Sequence, residues 1–212
     1  MSDSGDSSEQ SARRDPSNVP RPSGSLRSEK RAVRAELRAQ RRAVAARRDR
    51  EADDRALAGQ VATLCDRMGI GAGATATLYE ALPEEPPTAG MAEVLQERGV
   101  RVLVPLTLPD LDLDWADLAD ESRAPLGLDG IHGADLVLIP GLAVDASGTR
   151  LGQGGGCYDK ALPRRAPGRR VIVILHPEEF TAALLPREDH DVLVDAVLTA
   201  DGATQITARH RA

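Results

Sequence analysis

With 212 residues the chain is long enough for one domain with a sizeable core, and an aromatic content of only 2% leaves Leu, Val, Ile and Ala to fill it. A formal net charge of −6 argues against a general binder of nucleic acid or membrane surfaces, because affinity for polyanions comes from an excess of Lys and Arg. Two cysteines, Cys65 and Cys157, make no disulfide framework, and no apolar run approaches the roughly 20 residues of a membrane span, which together point to a cytoplasmic protein.

Residues 1–25 are Ser, Asp, Arg, Pro and Gly with almost no large apolar side chain, so they are expected to form a disordered tail ahead of a single domain over residues 26–212. A helix is expected from Ser28, which can cap it. At about 100° per residue, Val33, Leu37 and Val44 share one stripe, while Lys30, Arg34, Arg38 and Arg41 fill an adjoining sector about 80° wide. A bare charge run of this kind is ordinarily a solvated face, with Glu29, Glu36, Asp49, Glu51, Asp53 and Asp54 at hand to pair with it. A second helix is predicted over Arg50–Met68 and ends at Gly69.

Beyond it the pattern alternates. Short β-branched or aliphatic runs at Thr75–Tyr79, Val100–Pro105, Ala134–Pro140, Arg170–Leu175 and Asp195–Thr199, with a helix over Thr88–Arg98, predict a mostly parallel sheet buried on both faces. Ligands of such sheets sit beyond the carboxyl ends of strands, which directs attention to the loops after Tyr79, Pro105, Pro140 and Leu175.

One of those loops is unusual. After the strand ending at Pro140 comes "GLAVDASGTR", read as a turn, and then "RLGQGGGCYDK" from Arg150 to Lys160. Glycines let main-chain amides approach a phosphate closely, and Arg150 can add a two-pronged, charge-assisted contact. A carboxylate at Asp159 would repel phosphate unless a divalent cation stood between them. Mg²⁺ typically takes one or two carboxylates plus phosphate oxygens, and Asp191 is a second candidate with Glu188 and Asp189 as competitors. The loop matches neither the Walker pattern nor the dinucleotide fingerprint, so an ordinary glycine-rich turn is the alternative. His190 is a candidate base, weaker than Asp191 as a functional residue, and His132, His176 and His210 show no metal spacing with the cysteines.

The stretch "IPGLAVDASGTRLGQGGGCYDKAL", Ile139 to Leu162, resembles the signature of the 5-formyltetrahydrofolate cyclo-ligases, also called methenyltetrahydrofolate synthetases. Lys30 and Arg34 on the first helix, Glu85 and Thr88 after the first strand, and Pro186, His190 and Asp191 extend the likeness; Cys157 stands where the family has the first of two tyrosines. The resemblance implies a three-layer α/β/α fold, Rossmann-like and NagB/RpiA-like, preceded by two helices. It further implies a monomer that closes 5-formyltetrahydrofolate to 5,10-methenyltetrahydrofolate with Mg²⁺ as cofactor and ATP as co-substrate.

By the same resemblance Lys30, Arg34, Arg150, Leu151, Gly152, Gln153, Gly154, Gly155, Gly156, Cys157 and Tyr158 bind ATP, and Arg150, Lys30 and Tyr158 act at the reacting groups. Asp159 and Asp191 hold Mg²⁺, and Glu85 and Tyr158 bind the folate. Trp115 is a further candidate, a flat wall for a pterin ring, with core packing as its alternative. Competing readings are a non-catalytic nucleotide or phosphosugar module and an RNA-associated protein using Arg27 to Arg55.

Overall fold

Five parallel strands form the middle of a seven-stranded sheet in the computed structural model, which describes residues 23–189 and 191–206. In chain order the elements are α1 (Ser23–Ala45), α2 (Arg50–Met68), β1 (Thr75–Thr77), α3 (Ala89–Glu97), β2 (Arg101–Thr107), β3 (Leu113–Asp117) and β4 (Leu136–Pro140). There follow β5 (Ala143–Asp145), β6 (Arg150–Leu151), α4 (Cys157–Ala161), β7 (Val171–Ile174), β8 (Phe180–Thr181), β9 (Ala196–Thr199) and β10 (Gly202–Gln205). The sheet runs β10-β9-β7-β4-β1-β2-β3, with β3 and β10 antiparallel at its edges.

Alternation along β4 shows how the sequence feeds both faces. Leu136 and Leu138 join Leu57, Val61, Met91 and Leu95 of α2 and α3 in one core, whereas Val137 and Ile139 join Ile131, Ala161 and Leu162 in the other. A period of two inside a continuous apolar run is what a strand covered on both sides requires. The second face is covered by α4, short helical turns and a small sheet, β6-β5-β8, and so completes the expected three layers.

Helix α2 follows the predicted span. Asp49 caps it by accepting from the amides of Glu51 and Ala52 at 3.1 and 3.0 Å, and Gly69 closes it in the left-handed region at φ 66°. Two expectations need correction. Helix α1 starts at Ser23, so Ser28 lies inside it and caps nothing, and residues 23–25 of the expected tail are its first turn, residues 1–22 lying outside the described residues. The segment "GLAVDASGTR" is a hairpin, β5 to β6, rather than a plain turn.

That hairpin is organised by a carboxylate with no solvent exposure. Asp145 accepts from the Ser147 amide at 2.8 Å, the Ser147 hydroxyl at 2.6 Å, the Thr149 amide at 3.1 Å and the Leu185 amide at 2.8 Å. Gly148 turns the chain at φ 87°, and a Cβ there would lie 2.7 Å from the Val194 carbonyl oxygen. The hairpin delivers Arg150 to the carboxyl end of the sheet, next to Pro140.

Candidate functional site

A cavity of about 270 Å³ opens at the carboxyl ends of β1, β2 and β4, where Tyr79, Pro105, Thr107 and Pro140 meet the glycine loop. Its walls hold most of the residues that the sequence singled out: Arg34, Glu85, Arg150, Gly152 to Gly156, Cys157, Tyr158 and Asp159. A larger hollow of about 710 Å³ lies between the starts of α2 and α3 and shares Tyr79 and Glu80 with it, but none of the glycine loop.

The loop is held open by α1. Arg34 donates from Nε to the Gly152 carbonyl at 3.1 Å, and Arg38 donates to both the side-chain and the main-chain oxygen of Gln153. These cations therefore occupy loop carbonyls. Among the described residues none of the amides from Gly152 to Gly156 donates to a protein acceptor, which leaves a run of donors for a ligand oxygen. Gly154, at φ 109°, shows why glycine is needed here. Helix α4 behind the loop is a single turn of five residues, too short to add an appreciable macrodipole, so any attraction for anions rests on amides and guanidinium groups.

Arg150 is buried at the cavity floor. Its Nη2 donates to Asp159 Oδ1 at 2.9 Å, its guanidinium lies 5.7 Å from the centre of the Tyr158 ring, and its Nε is buried with no partner among the described residues. A Cβ at Gly152 would approach Arg150 Nη1 to 2.7 Å, so the glycine makes room for this side chain. Burial pushes the Tyr158 hydroxyl above the ordinary tyrosine range despite the neighbouring Arg150, and it stays protonated at neutral pH.

Glu85, also in the cavity wall, is 6% exposed, with Oε2 accepting from the Leu82 amide at 3.1 Å and Oε1 3.8 Å from Arg41 Nη1. Arg41 is itself 2% exposed and forks onto Glu179 at 2.6 and 2.7 Å, with a further bond to the Gly141 carbonyl. Burial opposes the Arg41 charge, yet the hydrogen bonds and charge of Glu179, with Glu85 beyond, outweigh it and hold the guanidinium protonated. Arg41 belongs to the cationic sector visible in the sequence. Glu179 has no sequence signal, being joined to Arg41 only by the fold.

Four expected residues, Trp115, Leu151, Lys30 and Asp191, are placed elsewhere. Trp115 is fully buried on β3 among Leu103, Leu113 and Ile131, with Gly130 packed so closely that a Cβ there would lie 3.0 Å from the Trp115 Cβ; it forms core and not cavity wall. Leu151 is buried core as well. Lys30, 3% exposed, lies outside the cavity lining and pairs with Glu188 at 2.8 Å and Asp191 at 2.5 Å, so one carboxylate expected at a metal meets an ammonium group instead. His190 and His210 lie outside the described residues. Cys157 packs against the second core and also borders the cavity.

Among the described residues no group of three or more His, Cys, Asp or Glu side chains gathers into a metal cage. The donor chemistry still suits a hard cation at one point. Asp159 borders the cavity with Oδ1 on Arg150 and no hydrogen bond to Oδ2 among the described residues, which leaves an oxygen ligand of the kind that Mg²⁺ takes beside phosphate. No described helix is long and apolar enough to cross a membrane.

The fold and this site define an α/β protein with a glycine-walled cavity at the carboxyl edge of a parallel sheet. The model of the 5-formyltetrahydrofolate cyclo-ligase family matches residues 26–200, and the chain belongs to that family of enzymes. A 5-formyltetrahydrofolate cyclo-ligase of Mycolicibacterium smegmatis is 35% identical over 144 residues, covering 60% of this chain and 74% of that one. Among solved structures, a 5,10-methenyltetrahydrofolate synthetase from Mycoplasma pneumoniae superposes with a TM-score of 0.65 at 22% identity, covering 81% of this chain and 99% of that one. A synthetase of the same name from Aquifex aeolicus gives 0.60 at 18% identity, with 85% and 95% covered. These two structures share the fold.

Proposed function

We propose that the protein catalyses the ATP- and Mg²⁺-dependent closure of 5-formyltetrahydrofolate to 5,10-methenyltetrahydrofolate, releasing ADP and phosphate. The observation that carries this reading is one cavity lined by two kinds of group. Arg34, Arg150 and the open amides of Gly152 to Gly156 suit phosphates, while Glu85 with the apolar Leu82, Pro105 and Leu113 suits a polar heterocycle.

Ring closure must expel the formyl oxygen, which leaves poorly as hydroxide. Transfer of the γ-phosphoryl group from ATP to that oxygen gives an iminium phosphate and ADP. The 10-nitrogen then attacks the same carbon, its N–H proton is lost, and the C–O bond breaks to release phosphate. A phosphoryl transfer asks the protein for positioning and charge stabilisation rather than a nucleophile. Neither cysteine is therefore needed in the chemistry.

In this reading Arg150 supports the transferring group with its unpartnered Nε, Tyr158 stacks beside it as a neutral phenol, and Gly152 to Cys157 cradle the phosphates. Glu85 orients the folate. Asp159 would hold Mg²⁺, which supplies positive charge against the phosphate oxygens. Lys30 is a second phosphate cation, and Asp191, which it pairs with, is the second carboxylate for Mg²⁺. The acidic net charge supports a catalyst that needs neither nucleic acid nor membrane, and in this reading it works as a monomer.

The test is absorbance in the band of the methenyl product, with protein, 5-formyltetrahydrofolate, ATP and Mg²⁺ mixed and each omitted in turn. Product is expected only in the complete mixture. Product that forms equally without ATP, or none at all, overturns the reading.

A further inference from the structure

Tyr79 lies just beyond the end of β1, is 4% exposed, and carries a buried hydroxyl with no hydrogen-bond partner among the described residues. A polar atom left unpaired in this way costs about 1–3 kcal/mol, and folded proteins keep few of them. Where one borders a cavity, a bound molecule can supply the missing partner. Tyr79 lines the cavity of the glycine loop, and the charges around its phenol are those of Glu85, Arg41, Tyr158 and Glu179.

We propose that Tyr79 is a substrate-binding residue whose hydroxyl hydrogen-bonds the heterocycle of the reduced folate, next to Glu85. The proposal rests on the cyclo-ligase reading and extends its folate subsite. Two features assign the partner to the heterocycle rather than to the nucleotide. The two carboxylates of Glu85 and Glu179 outnumber the single Arg41 guanidinium they pair with, so the charge beside the Tyr79 phenol is unfavourable for phosphate. A carboxylate that accepts beside a hydroxyl that donates also matches a ring edge bearing both N–H groups and a carbonyl, as a pterin does. Burial pushes the Tyr79 hydroxyl well above the ordinary tyrosine range, so it remains a neutral donor.

The experiment uses Tyr79→Phe in the full chain, with 5-formyltetrahydrofolate binding measured by calorimetry in the absence of ATP and with both KM values measured in the complete reaction. Losing one neutral hydrogen bond should weaken folate binding and raise its KM roughly 5- to 10-fold, with the ATP KM unchanged. Because the variant removes a hydroxyl unsatisfied in the free protein, its thermal midpoint should hold or rise, whereas a structural hydroxyl would lower it. Wild-type folate affinity in the variant overturns the proposal, as does an effect confined to the ATP KM. A wild-type protein that neither binds nor converts 5-formyltetrahydrofolate instead overturns the underlying reading, so the two failures are distinct.

Discussion

Arg150 and Asp159 form an ion pair of 2.9 Å that is unequal in its exposure, the Arg150 side chain being 4% exposed and that of Asp159 27%. Arg150 is thus a buried positive charge in the cavity wall, and Asp159 is the more exposed partner, with a second oxygen that accepts no hydrogen bond among the described residues. In the proposed reaction that oxygen meets the metal. Asp159→Ala should leave the protein folded but lower turnover by roughly 100-fold or more, the scale of losing one electrostatic stabiliser of a charged transition state. The check is a Mg²⁺ titration of initial rate: the wild type should saturate, and the variant should gain no comparable activity at any concentration. Near-normal, Mg²⁺-dependent rates would remove Asp159 from the metal site.

The pair Arg41 and Glu179 ties α1 to the turn after β7, with both side chains nearly inaccessible. Truncating one partner leaves the other charge buried, which costs about 3–5 kcal/mol, whereas replacing both by apolar groups of similar size is often near neutral. Arg41→Met should therefore lower stability to denaturant by that amount, and Arg41→Met with Glu179→Met should recover most of it. If the double substitution is as unstable as the single, the loss comes from the Gly141 carbonyl or Glu85 contacts instead.

This pair also marks where sequence and structure part. The parallel strands are legible because Val171 to Ile174 or Leu136 to Pro140 can do little else than form covered strands. The glycine loop is legible through the fixed offsets it shares with the family signature, since its glycines alone also fit an ordinary turn. Helix α1 reads differently. Its apolar stripe is only partly buried at Val33 and Leu37, while Lys30 and Arg41 of the cationic sector are the most deeply buried side chains described on it.

Their partners are Glu179, Glu188 and Asp191, more than 130 positions downstream, and not the nearby acids that a local reading supplies. No periodicity can reveal a face that is docked by distant carboxylates. Strand β3 is a different kind of omission, since Leu113 and Trp115 alternate with Asp114 as an edge strand should. Read that way, Trp115 falls on the inner, buried face of the strand.

A salt bridge away from the cavity controls α4 indirectly. Arg164 donates through Nη1 and Nη2 to both oxygens of Asp112 at 2.7 and 2.8 Å, and Lys160 donates to the Asp110 carbonyl, so the turn carrying Tyr158 and Asp159 is pinned to the β2–β3 loop. The Arg164 hydrogen bonds hold the Asp112 carboxyl down at about 2. Depression of a folded-state carboxyl means that its stabilisation is complete above the unfolded value of about 4 and is lost as pH falls from there through about 2. Thermal midpoints measured across this acid range should fall less steeply for Asp112→Asn than for wild type, the two differing most above pH 4. Parallel profiles would show that the pair contributes nothing that titrates.

The glycines of the signature stretch divide by what they face, and this separates scaffold from ligand site. Gly148 has φ 87° and a Val194 carbonyl oxygen 2.7 Å from where a Cβ would sit, whereas Gly154 has φ 109° and only the Arg34 side chain near, at 3.6 Å. Alanine at Gly148 meets backbone that cannot yield, so both strain and clash fall on the hairpin that carries Arg150. A loss of roughly 1–3 kcal/mol from the backbone conformation alone is expected, larger with the clash. Folded molecules of Gly148→Ala should keep a normal ATP KM. Gly154→Ala, in an exposed loop, can relax by moving the chain, so the thermal midpoint should change little while the amides lose their alignment and the ATP KM rises. Paired thermal melts and ATP titrations of the two variants check this. The same response in both would mean that the loop and the hairpin act as one rigid unit, with no separate role for the open amides.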